Sequence, residues 1–254
     1  FNYTHHPKTE GLGEIGNKQQ NQRGFGMHST LAVTPTGMPL GVLTQAFFTR
    51  PIGEPAHKPN EVRKLPIEEK ESYRWIEAFE QTLALAPDDT EVVTVCDREA
   101  DIYEMFVVAQ EKNNASLLVR ANVDRCLDEQ EGIHKLWQKV EQQPIAGHLS
   151  VEITGNQKRK ARQATVSIRF TPVKLKPPWR PDQKKLPPVT LNAILVREEN
   201  PDEDIDDPIE WLLLTNTPVD DFDDAVCVVG WYCCRWQIEI FHKIIKSGCM
   251  VEDC

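Results

Sequence analysis

Residues 231–248 read WYCCRWQIEIFHKIIKSG and place Tyr232, Arg235, Glu239 and Lys246 at offsets of 0, 3, 7 and 14. At ~100° per residue, Arg235, Glu239 and Lys246 fall at ~300°, ~340° and ~320° from Tyr232, one stripe about 60° wide. Ile238, Ile240, Phe241, Ile244 and Ile245 cover the remainder, with His242 and Lys243 flanking the stripe. The pattern predicts a helix packed around most of its circumference, presenting one line of polar groups to an opening. A plainer reading is an amphipathic helix whose Arg235 and Glu239 pair at i,i+4. Geometry alone leaves both open.

A second carboxylate stands out upstream. Glu91–Cys96 is an apolar, β-branched run of the buried-strand kind, and Asp97 follows it directly. An acid there can simply cap the next helix. It can also be a metal ligand, since functional groups of open α/β sheets gather at the carboxyl ends of strands. Two carboxylates, Asp97 and Glu239, would suit Mg²⁺ or Mn²⁺, which prefer oxygen donors and keep exchangeable waters.

The elements around these residues alternate. Residues 25–50 predict a β-hairpin turning at Thr34–Gly37. Pro66–Leu85 predicts a helix. The strand ending at Cys96, a helix to about Gln110 and a strand from Ser116 predict a βαβ unit with parallel strands. Beyond Ala121 come a short helix, GIHKLWQKV, and three alternating runs, HLSVEITG, RQATVSIRF and PVTLNAILV, which read as antiparallel strands of a β-rich insertion. PIEWLLLTN predicts one more strand. Acids at Asp220–Asp224 then open a helical segment, where the dipole favours them.

Composition sets limits. The chain has 254 residues, a formal net charge of −10 and an isoelectric point near 5.3. Taken whole, that charge argues against nucleic-acid binding. Its distribution does not: Lys158–Lys185 holds ten basic residues and one acid, whereas Pro201–Asp224 holds ten acids and no base. A local basic face can hold phosphates, and so can a solvated polar loop carry that charge with no partner. Seven cysteines without a CxxC pair fit a reducing cytoplasm better than a disulfide framework. A zinc site from His242, Cys249 and Cys254 is disfavoured by its spacing. No apolar run reaches ~18 residues, so no membrane span is expected. Both ends read like mid-sequence, which leads to the expectation of a fragment.

The pattern Y-x2-R-x3-E-x6-K, here Tyr232, Arg235, Glu239 and Lys246, resembles the signature of bacterial DDE transposases of the insertion-sequence-four family. VCDREADIYE around Asp97, GFGMHSTLAV in the hairpin, LLVRA at Arg120 and WLLLTNTPVDDFDDAVCVVGWYCCRW before Glu239 are similar to that family in the same order. The resemblance implies an α/β, RNase H-like mixed sheet with flanking helices, interrupted by a β-rich insertion subdomain. It divides the chain into core residues 1–120, insertion 121–209 and core 210–254.

It further implies that Asp97 and Glu239 belong to a carboxylate set binding two Mg²⁺ (or Mn²⁺) ions. Tyr232 and Arg235 would hold the phosphate beside a flipped base, Trp211 would stack on that base, and Lys246 and Arg120 would contact DNA. Without the resemblance, Trp211 reads as a core residue opening a strand, and Arg120 as a strand-end surface charge. The partners implied are double-stranded transposon-end and target DNA, with a homodimer in the DNA complex and no membrane, in a bacterial cytoplasm. The family's first aspartate is expected just upstream of Phe1, so the chain alone is expected to be inactive. A DNA-binding remnant without catalysis, or an RNase H-like nuclease, are the alternatives.

Overall fold

A computed structural model of the chain describes all residues except 6–7, 17–21, 54–58, 63, 113, 129–131, 154–160, 181–184, 202–204, 206 and 253–254. Lys158, Arg159, Lys160, Asp182 and Lys184 of the basic run, Asp202, Glu203, Asp204 and Asp206 of the acidic run, and Cys254 lie outside the described residues. The chain divides into two compact units, Phe1–Ala86 with Cys234–Cys254, and Pro87–Cys233.

The first unit holds short strands β1 (Gly13–Glu14) and β2 (Arg23–Gly24), and the hairpin β3 (Gly26–Val33) and β4 (Pro39–Phe48). The hairpin turns where the sequence predicts. Gly37 N–H donates to Thr34 O at 2.8 Å, and Gly37 has φ +84°, a conformation that favours glycine. A short helix α1 (Pro59–Val62) and a 3₁₀ turn at Ile67–Glu69 precede helix α2 (Tyr73–Leu85), which buries Ile76, Ala78 and Phe79 and lies against the hairpin. The predicted helix therefore begins later than Pro66.

The second unit is mixed α/β. Strand β5 (Val93–Cys96), a 3₁₀ turn (Arg98–Ala100), helix α3 (Tyr103–Glu111) and strand β6 (Ser116–Arg120) form the predicted parallel unit. Helix α4 (Leu136–Glu141) and strands β7 (Gly147–Ile153), β8 (Arg162–Leu175), β9 (Val189–Glu198) and β10 (Glu210–Thr215) follow. The six strands make one sheet in the order β5-β6-β10-β9-β8-β7, antiparallel except for β5–β6. The strands of segment 121–209 are hydrogen-bonded into the same sheet as β6 and β10, because β9 pairs with all six residues of β10.

Strands β6 and β10 are apolar at nearly every position because both sheet faces are covered. On one face Leu118, Leu213, Ile194, Val196 and Ile168 meet helix α5 (Phe222–Cys234) through Ala225, Val228, Val229 and Tyr232. Helix α3 lies against β6 and β9, and α4 against β8 and β9. Each fully buried Leu or Val contributes about 1.5–3 kcal/mol relative to exposure. The acids that open α5 cap it: Asp224 N–H donates to Asp221 Oδ1 (2.9 Å), and Asp220 N–H donates to Asp224 Oδ2 (2.9 Å).

The helix predicted through 231–248 is not continuous. It turns at Arg235–Trp236, restarts as α6 (Gln237–Lys243) and ends in a π turn, Ile244–Gly248. A wider π turn shifts every later residue from the ~100° spacing, so Lys246 leaves the ideal stripe. Nor is this segment packed all round. No residue of α6 is buried, and Ile240 and Ile244 are 40% and 56% exposed. Among the described residues, no helix is long and apolar enough to cross a membrane.

Candidate functional site

Strand register in the second unit gathers four of the sequence candidates. Cys96 pairs with Val119 across the parallel β5–β6 ladder, so Asp97 and Arg120 stand one step further on, level with each other. Neighbouring strands lie about 4.8 Å apart. Arg120 also pairs with Leu213 of β10, and its Nη2 donates to Glu210 O at 3.0 Å, over the start of that strand. Trp211 lies two residues before Leu213 and shares its face by alternation. The Trp211 and Tyr232 rings meet edge to face, with centroids 5.1 Å apart.

Alternation also assigns the face. Val95 and Leu118 pack on the α5 side, and Cys96 and Val119 point to the other. Arg120 therefore returns to the α5 side, with Trp211 and Tyr232. Asp97, just past the end of β5, stands at that same end of the sheet.

Asp97 has extended backbone (φ −85°, ψ −168°) and caps the 3₁₀ turn, its Oδ1 accepting the Glu99 N–H at 2.8 Å. The capping reading is realised. It occupies one carboxylate oxygen, and Oδ2 has no hydrogen-bond partner among the described residues. Tyr232 is 5% exposed and belongs to the apolar cluster under α5. Trp211 is half-buried against the same cluster, so the core reading of Trp211 holds for much of its ring.

Arg235, Glu239 and Lys246 belong to the first unit. Arg235 Nη2 donates to Glu239 Oε1 at 2.7 Å, the i,i+4 pair, with the side chains 22% and 41% exposed. Lys246 is exposed, with Nζ 5.5 Å from the Phe1 ring centroid. His242 sits beside both charges. Burial pushes its imidazole below the ordinary value, Lys246 adds to the shift, and Glu239 opposes it. Its Nε2 is buried without a hydrogen-bond partner among the described residues.

Sequence reasoning missed Asp101. Its side chain is 1% exposed. It accepts the N–H groups of Asn122 (2.7 Å) and Val123 (2.8 Å), and both Nε and Nη2 of Arg125. Arg125 Nη2 also donates to Asp101 O at 2.7 Å. This clamp joins the loop after Asp97 to the loop after Arg120. The available signal was a second acid four residues beyond Asp97, facing an arginine five beyond Arg120.

As for an ion, Asp97 and Glu239 are hard oxygen donors, a chemistry that fits Mg²⁺ or Mn²⁺ and not zinc. Each retains an oxygen beyond the one engaged above. Among the described residues, no group of three or more His, Cys, Asp or Glu side chains is gathered to hold a metal. No protein-family model matches the chain.

Proposed function

We propose that this chain is the catalytic core of a cut-and-paste DNA transposase with an RNase H-like fold. The observation that carries the reading is that Asp97, Arg120 and the Trp211–Tyr232 ring pair lie at the same end of a mixed sheet. These are four of the residues that the transposase resemblance singles out, and they come from four separate elements. The Arg235–Glu239–Lys246 run supports it from the sequence side.

Asp97 and Glu239 would be ligands to the divalent cations. Bound ions would activate the attacking oxygen and stabilise the leaving one in phosphoryl transfer. The remaining residues position DNA. Arg120, Arg235 and Lys246 would neutralise phosphates, fixing the strand without reading its sequence. Trp211 would stack on a displaced base, returning ~1–3 kcal/mol of the unstacking cost. Water attack would nick the transposon end. The freed 3′-hydroxyl would then attack the opposite strand to give a hairpin, which is reopened and joined to target DNA.

The test is end cleavage and strand transfer on DNA in Mg²⁺. Asp97→Asn and Glu239→Gln should each abolish both reactions while leaving the thermal melt within about 1 kcal/mol, because Asn still caps and the Glu239 pair is exposed. Full activity in either variant refutes the assignment. Cleavage without strand-transfer products would instead indicate a nuclease.

A further inference from the structure

Trp179 is 86% exposed, more than any other large apolar residue among those described. Tryptophan carries the largest apolar surface of any side chain, and leaving it in water forgoes a large burial term. A Trp so placed on a mobile tail would mean little. Here Leu175 before it and Arg180 beside it are both held.

Trp179 lies in KPPWRP, just beyond the end of β8, where Pro177 and Pro178 restrict the backbone. Leu175, four residues earlier at the end of β8, is fully buried, and its carbonyl accepts from the Tyr103 hydroxyl at 3.1 Å. The residue after Trp179, Arg180, forms a bidentate pair with Glu104, whose side chain is 10% exposed. The same Tyr103 hydroxyl also donates to Pro187 O at 2.8 Å, where the chain returns toward β9. The segment is thus pinned to α3 on either side of an indole directed into solvent.

Of the charges nearby, Arg180 pairs with Glu104 and Lys174 with Asp128, and Lys176, just beyond β8, and Lys185 are exposed cations outside those pairs. Lys174 contacts Asp128 at 3.3 Å, but that pair is half in water and worth little. Lys176 lies three residues from the indole, ~9 Å along an extended chain. A flat π surface with ammonium groups at that spacing matches a base and the phosphates beside it. An apolar protein pocket would have no use for the lysines.

We propose that Trp179, with Lys176 and Lys185, is a stacking platform for an unpaired base of single-stranded nucleic acid. It stands on the geometry around Trp179 and does not need the metal chemistry proposed above. Stacking of a base on an aromatic ring is sequence-tolerant and salt-sensitive.

The experiment is fluorescence anisotropy of a labelled 12-nucleotide single strand, and of the matching duplex, titrated with the full chain at low salt. Trp179→Ala should weaken single-strand binding about 5- to 100-fold, Trp179→Phe should retain most of it, and Lys176→Ala should reduce the salt dependence. The position is exposed, so all three variants should melt as the parent does. Binding should be the same in EDTA as in Mg²⁺, which separates this site from the proposed catalytic one. Binding within twofold of the parent for Trp179→Ala overturns the proposal, as does equal loss on strand and duplex. Absence of single-strand binding by the parent chain overturns it too, whatever the outcome of the cleavage test.

Discussion

Replacing Asp101 by Ala tests whether the candidate site is held by a buried polar clamp. The carboxylate is almost fully enclosed and takes four N–H donors, two from backbone and two from Arg125. Arg125 is itself 12% exposed and lies over the rings of Tyr103 and Phe106, at 5.7 and 5.5 Å. Removing one partner strands the other: an unpaired buried charge costs about 3–5 kcal/mol. The orphaned Asn122 and Val123 N–H groups add about 1 kcal/mol or more each unless water reaches them. Relaxation of the loops offsets part of this, so we expect about 3–5 kcal/mol in total. For a unit of this size that is a fall of ~10 °C in melting temperature.

Urea unfolding followed by circular dichroism measures the loss. A cycle with Arg125→Met separates the pair from its surroundings, and the double variant should recover at least 1 kcal/mol of the sum of the single losses. Asp101→Ala destabilising by less than 1 kcal/mol, or strictly additive losses, would refute the clamp. If the proposed activity holds, Arg125→Met/Asp101→Leu should fold but cleave DNA slowly, because the loops carrying Asp97 and Arg120 lose their common tie.

Tyr232→Ala should destabilise by about 3–5 kcal/mol in denaturant melts, because the ring fills the cluster under α5 and supports Trp211; a change below 1 kcal/mol would show that the ring is not packed there. His242 is held below its ordinary value by burial, so the unfolded chain binds its proton more readily. Stability should therefore fall as pH drops below about 6.5, the ordinary imidazole value. His242→Phe should reduce the stability difference between pH 8 and pH 5, measured by urea melts at each pH, and an unchanged difference would refute that placement.

The primary structure alone determined most of the elements, though not β1, β2, α1 or the start of α2. Hydrophobic runs located the hairpin, both strands of the parallel unit, the antiparallel strands and α5, because period and turn residues are local properties. It also marked Asp97 at a strand end and Arg235–Glu239 as an i,i+4 pair, since each depends on only a few neighbouring residues. Four things were decided only by tertiary structure. The break at Arg235–Trp236 and the π turn beyond it cannot be read from a periodicity that assumes one regular helix. The single sheet that joins β7–β9 to β10 depends on pairing between distant segments. The Asp101–Arg125 clamp needs two loops to meet across the carboxyl ends of parallel strands. Whether a tryptophan is core or surface is set by what folds over it: Trp211 lies under the sheet's helix, and Trp179 stands in water because its neighbours are tied down and it is not.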